Sequence, residues 1–329
     1  MLIRCTAAIL IVGCLGVIPA SAQRNACQQR SIPVSIDSMD GIPVPPLNSV
    51  NFEGSYRNQP VRVTSAVINQ EPPRVILLFD ASASMHGKRS ESEWNLTVDI
   101  GEDLVAGMPL ASEIGLAFFS AKSVRVTNPT NDRQKLRNEL KALRTDSKAL
   151  VPGTGQTALW DAILDSLKMF DHPHLGDAIY VITDGGDNAS KATRKYVAET
   201  LGEAGVRLFA FTFQNESAGT SAEERVGPAN VSQTVDDTGG TTVVYVGGYL
   251  GVFPIPQDPA LVDKSGKATQ LGSLLMLQYG RISNFYRVDI NLPETVDKPR
   301  KWKLESAGFS KSQRDRLMLR YPQLLVPCH

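Results

Sequence analysis

Five consecutive apolar residues, Val75-Ile76-Leu77-Leu78-Phe79, run without interruption into Asp80. A run with no polar alternation reads as a strand buried on both faces, the pattern of a central parallel strand with helices packed on each side. The pattern returns at Ile114 to Phe119, at Ala178 to Ile182, at Val206 to Phe213 with Arg207 its only charge, and at Thr241 to Val246. Between these runs the period changes to that of amphipathic helices. Trp94, Val98, Val105 and Met108 mark one stripe, with Gly101 between them; Leu136, Leu140 and Leu143 mark a surface helix whose other face is charged. Leu159, Ile163, Leu167 and Phe170 share a third face, Lys191 to Ala204 reads as a fourth helix, and Ala222 to Val235 as one interrupted at Gly227-Pro228. Ser123 to Val126 is a short strand that a tight turn can lay antiparallel at the sheet edge. Strands alternating with helices of about ten to fifteen residues specify an α/β fold, a doubly wound, mostly parallel sheet with right-handed crossovers.

The flanks follow a different rhythm. From Ser31 to Arg74 short alternating runs, with Val34 and Ile36 and then Val61 and Val63, are broken by Asp40-Gly41 and by Pro43, Pro45 and Pro46. Pro72-Pro73 punctuates a boundary. Past Gly248, Asp258-Pro259 is a helix start, and an amphipathic stretch interrupted by Gly266 runs to about Leu277. Tyr286, Val288 and Ile290 then alternate with polar residues, as do Trp302 and Leu304. The economical architecture joins the early and late strands in one small β domain, into which the α/β domain is inserted. This divides the chain into a leader (1–22), N-terminal strands (23–72), the α/β domain (73–249), and a helix with C-terminal strands (250–329).

The 34 basic and 34 acidic side chains balance, which removes any charge-based reason to expect nucleic acid or an anionic membrane surface as partner. Met1-Leu2-Ile3-Arg4, the apolar run Ala7 to Pro19 and Ala20-Ser21-Ala22 form a secretory signal cut after Ala22. The alternative is a bacterial lipoprotein box, Ile11-Val12-Gly13-Cys14, with Cys14 acylated. No later segment approaches membrane-spanning length. Cys5 and Cys14 leave with the signal; Cys27 and Cys328 remain at opposite ends, where an oxidising compartment invites one disulfide and the alternative is two unpaired thiols. A secreted, periplasmic or cell-surface protein is expected.

Candidate chemistry gathers where apolar runs end. Asp80, Ser82 and Ser84 are spaced by two, so a turn leaving the strand can aim three oxygens into one small volume, as hard cations require. The run Ala178 to Ile182 ends at Thr183-Asp184-Gly185, and Thr157 closes a glycine-containing loop, 151–157, that opens a helix. In open α/β sheets ligands bind beyond the carboxyl ends of the strands, near the reversal of strand order, so these loops can converge. Taken singly, each residue has a plain turn-forming role. Asp187, in Asp187-Asn188-Ala189-Ser190, reads better as a cap of the following helix than as a ligand, and Asp161 as a complement to a helix N-terminus or a loop holder. His172 and His174 lack a third zinc ligand, and His86 borders the Ser84 loop. No G-x-S-x-G elbow, H-E-x-x-H or phosphate-binding loop occurs.

The segments Asp80-Ala81-Ser82-Ala83-Ser84, Gly155-Gln156-Thr157 and Thr183-Asp184-Gly185 together resemble the metal-ion-dependent adhesion site of von Willebrand factor type A domains, over about residues 74 to 248. The leader and the Leu275 to Tyr286 segment are similar to secreted von Willebrand A-related proteins of acidobacteria. The resemblance implies direct coordination of Mg²⁺, with Mn²⁺ or Ca²⁺ as alternatives, by Ser82, Ser84 and Thr157, while Asp80 and Asp184 act largely through water. It also implies a non-enzymatic adhesion protein that docks an Asp or Glu of a protein partner. Two other functions remain: a metal-dependent hydrolase, for which only Asp187 or His86 could be the base, and an envelope component whose metal braces three loops.

Overall fold

The computed structural model describes residues 27–38, 44–86, 91–150, 156–214, 222–246, 249–253 and 267–328. The expected leader with Cys14, the Asp40-Gly41 turn and the Asp258-Pro259 helix start lie outside them.

Seven strands form the larger sheet: β4 (Arg74–Asp80), β5 (Glu113–Phe119), β6 (Ser123–Thr130), β7 (Ala178–Thr183), β8 (Arg207–Gln214), β9 (Thr242–Val246) and β10 (Tyr249–Phe253), in the order β10-β9-β8-β7-β4-β5-β6. β5, β4, β7, β8 and β9 are parallel; β6 and β10 close the two edges antiparallel. Six helices accompany it: α1 (Glu91–Gly107), α2 (Arg133–Leu150), α3 (Leu159–Leu167), α4 (Arg194–Ala204), α5 (Ala222–Thr238) and α6 (Lys267–Ser283). The lack of alternation along β4 has its expected cause. Val75, Leu77 and Phe79 pack into a core shared with α1, α2 and α6, whereas Ile76 and Leu78 pack into a second core shared with α3, α4 and α5. Each face therefore removes its own apolar set from water, and both must be hydrophobic for the sheet to sit between two helical layers.

The element ends depart from the sequence expectation in several places. The third helix stops at Leu167, so Phe170 is buried from the turn beyond it. The fourth starts at Arg194 because Thr193 caps it, its side chain accepting from Tyr196 N. Strand β6 runs on to Thr130 and helix α6 to Ser283. One strand goes beyond the sequence expectation: β10 pairs back on β9 with only residues 247–248 between them. Two glycines between β-branched and aromatic runs are a hairpin signal. Finally, α5 is continuous through Gly227-Pro228.

The early and late strands do meet. A six-stranded antiparallel sheet, in the order β13-β2-β3-β11-β1-β14, combines β1 (Gln29–Ser38), β2 (Phe52–Tyr56) and β3 (Gln59–Ile68) with β11 (Tyr286–Asn291), β13 (Lys303–Ser306) and β14 (Leu317–Arg320). Two short strands, β12 (Arg300–Lys301) and β15 (Leu324–Leu325), pair separately, and a single turn, α7 (Lys311–Arg314), precedes β14. Its core holds Ile32, Val34, Phe52, Val61, Val288, Ile290, Trp302 and Leu304. Cys27 and Cys328 are disulfide-bonded, with their Cα atoms 5.5 Å apart.

Arg207 bolts the start of β8 to the end of α6 and, through Ser35 Oγ at 3.4 Å, to β1 of the smaller sheet. Fully buried at the start of β8, it donates from Nη1 to Arg281 O at 2.8 Å and from Nη2 to Gly176 O and Ile282 O, both at 2.9 Å. Its guanidinium carbon lies 4.4 Å from the Phe285 ring centroid. Burial pushes its pKa down to about 9, against the opposing charge of Asp177. Two of the carbonyls it serves, those of Arg281 and Ile282, belong to the last turn of α6, which has no intrahelical donors for them. Among the described residues no helix is long and apolar enough to cross a membrane.

Candidate functional site

The chain enters the larger sheet at β4, adds β5 and β6 on one side, then crosses back to lay β7 on the other. The strand order thus reverses between β4 and β7, and the carboxyl ends of those two strands carry Asp80 and Asp184. Register brings them together, since Phe79 pairs with Ile182 and the next residues, Asp80 and Thr183, stand side by side.

Asp80 is fully buried. Its Oδ1 accepts from Ser82 N at 2.9 Å and its Oδ2 from Thr183 Oγ1 at 2.5 Å. The first bond folds the chain back just after the strand, so that Ser82 Oγ and Ser84 Oγ lie 3.0 Å apart. Exposure rises outward through the set: Asp80, Ser82 and Thr157 are buried, Asp184 is partly exposed and Ser84 is exposed. Thr157 reaches the same edge because Ala158 N donates to Ser120 O beyond β5, just as Ala81 N donates to Phe119 O. All five residues singled out in the sequence therefore sit at one end of the sheet.

Electrostatics at this edge are unfavourable for bare carboxylates. Burial, and then the nearby charge of Asp184, push the Asp80 carboxyl up to about 7. Burial and the charge of Asp184 also raise Glu93, in the first turn of α1, above the usual carboxylate range. Among the described residues no Lys, Arg or His is paired with Asp80 or Asp184. A donor set of hydroxyls and carboxylates suits a hard divalent cation, which takes oxygen ligands.

The turn after β7 is fitted closely. Gly185 has φ +82°, and a Cβ there would lie 2.5 Å from Gly227 C and 2.6 Å from Pro228 N; a Cβ on Gly227 would lie 2.2 Å from Gly185 O. Backbone meets backbone at this point, so only glycine fits on either side. Helix α5 passes this turn at Gly227-Pro228 and continues through it.

Asp187 does cap a helix, but not the one that follows it. Helix α3 has Ala158 at its N-cap and no local side-chain cap. Its free N–H groups are taken from far along the chain: Leu159 N donates to Asp187 Oδ1 at 2.9 Å, and Trp160 N and Asp161 N to Ser190 Oγ at 3.0 and 3.2 Å. Ser190 Oγ in turn donates to Asp187 Oδ1. Asp161 holds the loop, as one sequence reading has it, accepting from Lys191 N and Ala192 N at 3.0 and 2.8 Å. Thr157 itself is gripped by Asn188: its N donates to Asn188 Oδ1 at 2.8 Å and its O accepts from Asn188 N at 3.0 Å. Thr183 belongs to the quoted Thr183-Asp184-Gly185 segment, whereas Asn188, Ser190 and Gly227 are not expected from the sequence as parts of the site. Only the polar string 187–190 gave a signal, and it pointed to the wrong helix.

His172 and His174 stand apart from this edge. His172 O accepts from Arg74 Nη2 at 2.6 Å, and His174 N donates to Asp177 Oδ2 at 2.7 Å, at the opposite edge where β4 and β7 begin. The His86 ring packs against Trp94, with centroids 4.4 Å apart.

With this geometry, residues 75–186 match the family model of the von Willebrand factor type A domain. An aerotolerance-related membrane protein from Bacteroides fragilis is 18% identical, the alignment covering 64% of this chain and 98% of that one, with a TM-score of 0.43. A von Willebrand factor type A structure from Catenulispora acidiphila is 10% identical over 84% of this chain and 70% of that one, TM-score 0.45. Proximal thread matrix protein 1 from the mussel byssus, solved with a zinc-occupied MIDAS motif, is 13% identical over 69% of this chain and 50% of that one, TM-score 0.44. No curated protein matches the chain. The fold is a von Willebrand factor type A-like α/β fold, the family model matching residues 75–186, with an additional antiparallel sheet built from both ends of the chain.

Proposed function

We propose that this is a non-enzymatic binding protein that holds a divalent cation at the carboxyl edge of the larger sheet and uses it to dock an acidic side chain of a protein partner. The observation that supports this reading is that Asp80, Ser82, Ser84, Thr157 and Asp184 all lie at the carboxyl edge where the strand order reverses, with Asp80, Ser82 and Thr157 buried and Asp184 and Ser84 more exposed. Ser82, Ser84 and Thr157 would supply neutral oxygens, and Asp80 and Asp184 the countercharge. A cation held largely by hydroxyls and water keeps its attraction for a further carboxylate, which is the chemistry it would supply when bound. The outward rise in exposure towards Ser84 leaves that side of the set facing solvent. Magnesium is the proposed ion. The Cys27–Cys328 disulfide supports an extracytoplasmic location.

The test is a titration of a glutamate-containing peptide and its glutamine counterpart against the protein in Mg²⁺ and in chelator. Saturable binding of the glutamate peptide alone, lost in chelator and in Asp184→Ala, is expected. Binding that ignores the metal, or treats both peptides alike, would sink the reading.

A further inference from the structure

Helix α3 and the segment that follows β7 are separated by about one-eleventh of the chain, yet eight hydrogen bonds join residues 157–161 to residues 187–192. The exchange is reciprocal. Thr157 gives its N–H to the Asn188 side chain and receives at its carbonyl the N–H groups of Asn188 and Ala189, both at 3.0 Å. The first three N–H groups of α3 go to Asp187 and Ser190, and the Asp161 carboxylate returns two acceptors to the N–H groups of Lys191 and Ala192. A helix with alanine at its N-cap thus borrows its cap from the loop that also carries Asp184. Thr157 is fixed through its own backbone, on both its N–H and its carbonyl, immediately ahead of that helix.

From this geometry we infer that Asn188 and Ser190 are positioning residues for the cation site: they fuse the Thr157 loop and the Asp184 loop into one unit and so set metal affinity without touching the metal. The inference rests on the proposed metal site and adds to it which residues tune it. Only two bodies then need to come together around the ion, the 80–84 turn and the fused 157–192 unit, and the hydrogen bonds from Asn188 and Ser190 fix the internal geometry of the second. Loss of an outer partner of a metal ligand typically weakens binding about 10- to 100-fold.

Calorimetric titration of Mg²⁺ and Mn²⁺ into the full chain tests it, far below the thermal midpoint so that global stability does not enter the dissociation constant. Asn188→Ala and Ser190→Ala are expected to raise Kd for both ions by about 10-fold or more, with circular dichroism unchanged, and Ser190→Thr, which keeps an acceptor hydroxyl, to restore most of the affinity. If the wild-type chain binds Mg²⁺ and both alanine variants bind it equally well, the inference is overturned while the metal site stands. If the wild-type chain binds neither ion, the metal site itself fails. A variant that loses thermal stability yet keeps its Kd marks the 187–192 segment as a structural brace only and also overturns the inference.

Discussion

Replacing Asp80 by Asn should remove a pH dependence of stability that the metal-free protein otherwise shows. In the folded chain burial and Asp184 hold the Asp80 carboxyl at about 7, whereas in the unfolded chain it returns to about 4. Between those values the folded state carries a proton that the unfolded state has lost, so stability falls as pH rises through the window and is flat above it. Stability is therefore fully present below about pH 4 and lost as the pH passes about 7. At about 1.4 kcal/mol for each pH unit, the ionised carboxylate costs at most about 4 kcal/mol in the absence of a counter-ion. Urea unfolding at several pH values between 4.5 and 8, in chelator, reads this directly as a shift in the midpoint, with the Asp80→Asn variant subtracting the slopes contributed by Glu93 and other raised carboxyls. A saturating divalent cation should flatten the wild-type slope as well, because it supplies the missing positive charge. An equal slope in wild type and Asp80→Asn, or a wild-type stability that climbs from pH 5 to pH 7.5 in chelator, would refute the electrostatic account of the site.

Other consequences follow from particular contacts. Gly227→Ala places a Cβ 2.2 Å from Gly185 O; this should cost roughly 1–3 kcal/mol in denaturant unfolding, whereas Gly272→Ala in α6 meets nothing within 4 Å and should gain about 0.5–1 kcal/mol. Equal effects of the two would contradict the backbone contact at the Asp184 turn. Arg207→Met leaves the carbonyls of Gly176, Arg281 and Ile282 without their buried donor, and a loss of roughly 3 kcal/mol is expected; a variant as stable as wild type would show that the bolt is dispensable. Serine at both Cys27 and Cys328 should lower stability by roughly 2–5 kcal/mol, seen as an earlier unfolding midpoint that the wild type reproduces only when reduced.

What the sequence disclosed, and what it hid, divides by range. The central strands were legible because a strand between two helical layers must be apolar at every position, and Val75 to Phe79 and Ala178 to Ile182 satisfy that locally. Asp80, Ser82 and Ser84 were legible because a turn brings residues two apart together, and the likeness to the adhesion-site pattern linked Thr157 and Asp184 to them. The joining of both chain ends in one sheet followed from matched alternation in two distant segments. The capping of α3 by Asp187 and Ser190 was not legible, because a polar string next to a helix looks like that helix's own cap and nothing local shows a neighbour lacking one. Gly227-Pro228 reads as a break for a similar reason: the backbone of Gly185, which requires glycine at 227, lies far away in sequence. The β10 hairpin, by contrast, carried its own signal in the two glycines at 247–248 and could have been read.

The central claim, that Asp80, Ser82, Ser84, Thr157 and Asp184 surround a divalent cation, is tested most directly by crystals grown in Mn²⁺ and measured near the manganese absorption edge. The account predicts one anomalous peak at the carboxyl edge between β4 and β7, within coordination distance of the serine and threonine hydroxyls. Ordered side chains at that edge with no peak at millimolar Mn²⁺, or a peak bound elsewhere on the chain, would contradict it.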